Sequence, residues 1–276
     1  LFFLIAGVPC EKMRRMRGLI GLSLFCSFLF FGYSGGLSAQ TGNRLGVGAE
    51  PPEGALWLFD GQFSTFQQQW TYWEGPGFYG GSPVRWPFLK NPEGADWVMS
   101  SNDPAASGGR YGRADLVTRA VFRDFRLHVE FYLAEGGGNS GVYLQNRYEI
   151  QILDGDSTRH GMAAIINEIA APYHPYRGLK TWNAYDIMFK AARFSGGRRM
   201  EPARITMYFN GVKVHENQPI QQVWGGSFSG IDGGNDGGRG ITDTPGGLKL
   251  QAEGHSVLYR NIWIQRLNLD DRDTHF

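Results

Sequence analysis

Glu149 and Gln151 stand two residues apart within the stretch from Asn139 to Asp154, NSGVYLQNRYEIQILD. In an extended strand residues i and i+2 share a face, so the carboxylate and the amide project together while Tyr148, Ile150 and Ile152 project the other way. A carboxylate can move a proton, and an amide can orient a polar ligand or donate to a developing oxyanion. Such a polar face in mid-strand predicts a lined cleft. The aromatic and β-branched residues around it mark two short strands, Ser140 to Gln145 and Tyr148 to Leu153, joined by a tight Asn146-Arg147 corner.

Together with Asp154, the pair occupies positions i, i+2 and i+5, a layout that resembles the E-x-D-x-x-E strand of jelly-roll glucanases. The chemistry of that strand is not reproduced. Ordinary glycoside hydrolysis needs two carboxyls at a set separation. Here the middle residue is an amide, and i+5 faces the opposite side unless the strand bulges.

The elements that must position this hairpin are also strands. From Phe125 to Leu133, Phe125, Leu127, Val129, Phe131 and Leu133 alternate strictly with Arg126, His128, Glu130 and Tyr132, which predicts one core face and one polar face, ordinarily solvated. Gly136-Gly137-Gly138 then turns the chain directly into the hairpin. Residues 155 to 180 form a long irregular connection that could close over the cleft. Further strands are predicted at 114 to 118, 184 to 190, 204 to 209 and 212 to 215, the last two around an Asn210-Gly211 turn, and at 257 to 267. The glycine-rich stretch from Gly225 to Gly247, with Asp232, Asp236 and Asp243, fits no calcium-loop spacing and reads as a surface loop. The aromatic-rich stretch from Phe63 to Trp97 shows weak periodicity; its rings could stack on sugars or cap the end of a sandwich.

Composition agrees with one sizeable β domain: forty glycines among 276 residues, without a collagen-like period, suit a sandwich with many loops. The first 39 residues read differently. A basic patch (Lys12, Arg14, Arg15, Arg17), an apolar run from Leu19 to Phe31 and Leu37-Ser38-Ala39 before Gln40 match an export signal, with a retained anchor as the competing reading. That places the protein in the periplasm or outside the cell and limits membrane contact to the signal. Both cysteines, Cys10 and Cys26, fall inside it, so the remainder has no thiol chemistry. The segment holds one acidic and four basic residues, so the remainder stands at −2 against +1 for the whole chain, and nothing asks for nucleic acid. The expected organisation is a signal over 1–39, a linker over 40–54, a domain over 55–267 and a tail over 268–276.

An ordered set of motifs resembles the DUF1080 family, the 3-keto-disaccharide hydrolase domain. These are Leu58-Phe59-Asp60-Gly61, Asp124-Phe125 through Glu130-Phe131, Asn139-Ser140-Gly141-Val142-Tyr143, Tyr148 through Asp154, Trp182 through Ile187, Asn210-Gly211-Val212 with Val214-His215, and Leu250-Gln251 through Tyr259-Arg260-Asn261-Ile262-Trp263. Each is short, but together they run in family order from about residue 55 to 267.

The resemblance implies an all-β fold, a concanavalin-like jelly roll of two antiparallel sheets with the site on the concave face. It also implies cleavage of glycosides oxidised at C3. A ketone at C3 acidifies the C2 proton, so one base can start elimination of the C1 aglycone, and water then adds; no carboxylate nucleophile is needed. The alternative is a lectin-like carbohydrate-binding domain without catalysis.

In that scheme Glu149 is the candidate base and Gln151 the orienting amide, with Glu130 and His128 as a further acid or metal ligands. Asn139, Tyr143, Trp182, Asn183, Gln251, Glu253, His255 and Arg260 are candidate substrate contacts. Each has a plainer role open to it: Glu149 could pair with Arg260, Trp182 could be core, Asn139 a turn residue and His255 part of a solvated turn. Many relatives carry Gln-Asp-His-Gly where this chain has Gln251-Ala252-Glu253-Gly254, with His255 one place beyond. A divalent ion held by His128, Glu130, Glu149 and Glu253 is a further expectation, although no local ligand spacing demonstrates it.

Overall fold

The computed structural model describes residues 45–73, 84–102, 114–221, 241 and 243–276. In chain order the elements are β1 (Leu56–Phe59), α1 (Phe63–Gln69), β2 (Trp70–Tyr72), β3 (Phe88–Lys90), β4 (Trp97–Ser100), β5 (Leu116–Thr118), β6 (Asp124–Leu133), β7 (Asn139–Leu144), β8 (Tyr148–Leu153), β9 (Trp182–Lys190), β10 (Arg193–Ser195), β11 (Arg198–Glu201), β12 (Ala203–Phe209), β13 (Val212–Ile220), β14 (Lys249–Leu250) and β15 (Val257–Leu267). The expected export signal and most of the glycine-rich stretch from Gly225 to Gly247 lie outside the described residues.

Two antiparallel sheets dominate. The larger has eight strands ordered β13-β12-β9-β6-β15-β4-β3, with β1 added to β15; the smaller has five, ordered β2-β5-β14-β7-β8. Between them lies one core, to which β6 contributes Phe125, Leu127, Val129, Phe131 and Leu133, and the smaller sheet contributes Val142, Leu144, Ile150, Ile152 and Leu250. This is the expected jelly-roll sandwich. Each strand has one face against the core, as the period-two alternation requires.

The hairpin of β7 and β8 pairs Leu144 with Tyr148, so the connection is three residues, Gln145-Asn146-Arg147, and the strand ends one residue before the expected Gln145. Gln145 and Asn146 both take positive φ (53° and 54°), and Arg147 N–H closes the turn on Leu144 O at 3.0 Å. The Asn210-Gly211 turn is as expected: Phe209 pairs with Val212, and both turn residues have positive φ, 50° and 80°.

Four expectations change. The glycine turn after β6 carries the chain from the eight-stranded sheet to the five-stranded one, so β6 and the β7–β8 hairpin belong to opposite layers. The polar face of β6 is not solvated: His128 and Glu130 are 0% exposed. The stretch expected as a linker covers it. Gly46 N–H donates to Asp186 Oδ2 and Gly48 N–H to Glu130 Oε1, both at 2.6 Å, while Ala49 O accepts from the Trp263 indole. From the other end, Thr274 is fully buried against Thr206, and the Phe276 ring meets Tyr208, so the expected tail is docked as well.

The connection at 155 to 180 lies along the free edge of β8. Gln151 exchanges hydrogen bonds with Ala163 and Ala164, and Ile166 N–H reaches Glu149 O. An edge strand is thereby covered. The seven-residue helix α1, unexpected from a run with weak periodicity, buries Phe66 against Phe59 and Phe88.

Candidate active site on the five-stranded sheet

The register of the smaller sheet arranges the residues that point away from the core in rows. One row runs Val117, Lys249, Tyr143, Glu149 across β5, β14, β7 and β8. In the next, Gly141 lies opposite Gln151, and on its other side Gln251 N–H donates to Gly141 O at 3.0 Å. Gly141 leaves this second row without a side chain at its middle. Glu149 leans into the gap: a Cβ on Gly141 would overlap the Glu149 carboxylate and come within 3.0 Å of its Cγ and Cδ. The sequence thus sets a carboxylate into a hollow whose floor is bare backbone.

Lys249 shares the row with Glu149, two strands away, a span of roughly 10 Å between backbones. Its ammonium lies 3.4 Å from Asp115 Oδ2 and 3.8 Å from the centre of the Tyr143 ring. Lys249 and Asp115 are both nearly fully buried, and such a charge persists when it is paired and hydrogen-bonded. Asp115 is fixed in turn, because its Oδ1 accepts from Ala252 N–H at 2.8 Å. Neither residue was singled out from sequence. The signal was present in Leu248-Lys249-Leu250-Gln251, where two buried leucines alternate with two polar residues.

The remaining groups on this face are partly unsatisfied. Gln251 Nε2 donates to Tyr143 Oη at 3.1 Å, but Gln251 Oε1 is buried and has no hydrogen-bond partner. Asn139 Oδ1, also on this face by alternation along β7, is likewise buried and unpartnered. Unsatisfied buried acceptors are rare, and two on one sheet face suit a ligand that carries hydroxyl donors. Gln151 is turned back on its own strand, its Oε1 accepting from Ile152 N–H at 3.0 Å. Tyr143 is 1% exposed. It serves as a platform beneath Lys249 more than as an open sugar contact.

Beyond Gln251 the chain leaves the strand, with Ala252 in the core and Glu253 half-buried just before the bend at Gly254. Burial pushes the Glu253 carboxyl up to about 7. His255 is exposed in the following turn, where its carbonyl accepts from Ser101 Oγ.

Five expected site residues lie elsewhere. His128 and Glu130 sit on the outer face of the eight-stranded sheet, across the core from Glu149, because β6 presents its odd-numbered residues from Phe125 to Leu133 to the core. There they form a closed network: His128 Nδ1 lies 2.7 Å from Asp186 Oδ1 and its Nε2 3.3 Å from Glu130 Oε1. Asn261 Nδ2 donates to that same oxygen at 2.7 Å, and Arg260 Nε donates to Glu130 Oε2 at 2.7 Å. Burial alone would raise the Glu130 carboxyl, but the hydrogen bonds from His128, Asn261 and Gly48 outweigh it and hold it down to about 2. For His128, burial opposes the charge and is overcome by the Asp186 and Glu130 carboxylates, so its pKa is raised. This network ties β6, β9 and β15 to the stretch at Gly46–Ala49 and faces away from Glu149.

Arg260 pairs with Glu130 instead of Glu149, and its guanidinium stacks 4.1 Å from the Trp182 ring. Trp182 is 1% exposed, with its indole N–H donating to Asn91 Oδ1. Asn183 is fully buried; its Oδ1 accepts from Arg177 N–H and Asn210 Nδ2, and its Nδ2 donates to Thr181 O. Both are structural. The expected metal set therefore does not assemble: Glu149 is separated from His128 and Glu130 by the core, and among the described residues no group of three His, Cys, Asp or Glu could hold an ion.

Residues 54–265 match the family model described as a 3-keto-alpha-glucoside-1,2-lyase-like domain. A crystal structure of a candidate glycosyl hydrolase from Parabacteroides distasonis is similar with a TM-score of 0.61 and 24% identity, over 80% of this chain and 86% of that one. A second candidate glycosyl hydrolase from the same organism matches with a TM-score of 0.48 and 15% identity, over 78% of this chain and 95% of that one. No curated protein matches the chain.

Proposed function

The chain belongs to the 3-keto-alpha-glucoside-1,2-lyase-like domain family, and from that premise we propose that it cleaves glycosides oxidised at C3 by proton abstraction and elimination. Glu149 takes the C2 proton. The C2–H bond electrons form the C2=C3 enolate, whose oxygen carries the new negative charge. Collapse of the enolate restores the ketone, forms a C1=C2 double bond and breaks the bond from C1 to the aglycone oxygen, which takes up a proton. Water then adds across the double bond, with oxygen bonding to C1 and a proton returning to C2.

The observation that carries this reading is the row joining Glu149 and Lys249 beside the bare floor at Gly141. Elimination from a ketone-activated sugar needs only one carboxylate base, provided a cation meets the developing enolate. Lys249, held by Asp115 and Tyr143, is suited to that role. Gln251 Oε1 and Asn139 Oδ1 are acceptors for ring hydroxyls. Glu253, with its carboxyl up at about 7, holds a proton for the departing aglycone near neutral pH. We further propose that the protein acts after export, on the signal pattern of residues 1–39.

The test is aglycone release from a 3-keto glucoside and from its unoxidised parent. Release from the keto sugar alone, slowed by deuterium at C2 and lost by about 10²–10⁴-fold in Glu149→Gln, is the expected result. Equal release from the unoxidised parent, or no isotope effect together with an active Glu149→Gln, overturns the elimination chemistry. Binding without release would leave a carbohydrate-binding domain.

A further inference from the structure

A cavity of about 250 Å³ opens on the outer side of the eight-stranded sheet, where β1, β4 and β15 meet, away from the face that carries Glu149. Trp57 and Trp97 stand in its wall, and Asp60, Asp96, Arg260 and Asn261 are among the polar residues lining it. Trp97 is 44% exposed, and the Lys90 ammonium lies 3.9 Å from the centre of its ring.

The polar groups are already held in place. Arg260 is fixed through Nε by Glu130 and from beneath by Trp182, and no hydrogen bond to its two terminal nitrogens is formed by the described residues. Asp60 uses Oδ1 to accept Gln62 N–H, and Asp96 uses Oδ1 to accept Asn91 Nδ2, which leaves the second oxygen of each as an acceptor. Asn261 sits in a β-bulge of β15 with φ of 44°, its amide clamped to Ala49 O and Glu130. A bulge of this kind re-aims side chains at a sheet edge.

The chemistry of the lining selects a neutral polyhydroxyl ring. Three carboxylates, Asp60, Asp96 and the Arg260-paired Glu130, disfavour an anion. A cation meets the outer edge of the Arg260 guanidinium, and a purely apolar ligand would strand the charges of Asp60, Asp96 and Arg260. Vicinal hydroxyls can instead donate to Asp60 and Asp96 and accept from Arg260, while the C–H face of a ring lies on an indole. The volume, below the ~300–1,000 Å³ of drug-sized sites, suits one ring more than a chain. We propose that this cavity is a second carbohydrate site, binding a single unoxidised pyranose unit outside the candidate active site. It does not depend on the elimination chemistry, since it uses neither Glu149 nor Lys249.

The experiment is fluorine NMR of the whole protein labelled with 5-fluorotryptophan, titrated with methyl α-D-glucopyranoside and methyl β-D-glucopyranoside. The Trp97 and Trp57 signals are assigned by their loss in Trp97→Phe and Trp57→Phe. Either glucoside is expected to shift both signals saturably, and to do so equally in Glu149→Gln; Asp60→Asn, at an exposed position, should weaken the effect by about tenfold. The proposal is overturned if neither glucoside moves these signals, if glycerol moves them as much, or if Asp60→Asn leaves the titration unchanged. Aglycone release from the keto sugar is measured separately, so this result and the active-site result can fail independently.

Discussion

The Glu149 carboxylate rests over Gly141, on the strand beside its own, in the space that any other residue's Cβ would occupy. The base and the glycine are therefore one device: the missing side chain in β7 lets the carboxylate in β8 lie flat in the sheet face.

Gly141→Ala tests this directly. The added methyl group meets the far end of a flexible side chain, so Glu149 swings aside and the backbone survives. The expected result is a fall in kcat/KM of about 100-fold from misplacement of the base, with the melting temperature nearly unchanged. Activity at the parent level would remove Glu149 from the position argued for it.

Lys249→Met keeps the stem but removes the charge that faces the proposed enolate. Loss of one such donor is expected to lower kcat by about 10²–10³-fold, with a smaller change in KM, because the charge it meets develops only in the transition state. An effect confined to KM would make Lys249 a ground-state contact.

Glu253 gives a pH dependence with a definite sign. Its folded pKa, about 7, lies above the ordinary 4.5 of a glutamate. The folded protein therefore binds the extra proton between those values, and stability falls as pH rises from about 4.5 through 7. As the proton donor to the aglycone, Glu253 also sets an alkaline limb in kcat/KM near 7. Glu253→Gln should flatten both profiles. A retained limb would assign the acid to another group.

Glu130 and His128 should show in stability and leave the chemistry intact. Glu130→Gln leaves Arg260 and His128 facing an uncharged amide, with an expected cost of about 3–5 kcal/mol in denaturant unfolding and near-parent kcat in the molecules that remain folded. The signs differ between the two groups. Glu130, held at about 2, contributes stability above its unfolded value of 4.5 and loses it as pH falls toward 2. His128, raised above 6.5, contributes fully below that value and loses it as pH climbs through the folded pKa.

The stretch at residues 45–54 is part of the domain energetically. A chain beginning at residue 55 loses the Gly46 and Gly48 hydrogen bonds to Asp186 and Glu130 and uncovers buried carboxylates. It should be markedly less stable than one beginning at residue 41, measured by thermal unfolding, because each stranded buried acceptor costs about 1–3 kcal/mol. Equal melting temperatures would reduce the stretch to a passive linker.

By itself the sequence determined the alternation of β6, the β7–β8 hairpin with Glu149 and Gln151 on one face, the Asn210-Gly211 turn and the family-ordered motifs. All of these are local properties, written in a period of two or in adjacent turn residues. Parity tells which residues share a face, but it says nothing about which sheet a strand joins. Only the tertiary structure sent β6 and β7 to opposite layers across the glycine turn, which separated His128 and Glu130 from Glu149 and gave them to the strap at Gly46 to Ala49. The same step brought Lys249 beside Tyr143 over more than a hundred intervening residues, because cross-strand register is fixed by packing and hydrogen bonding between segments that local pattern cannot pair.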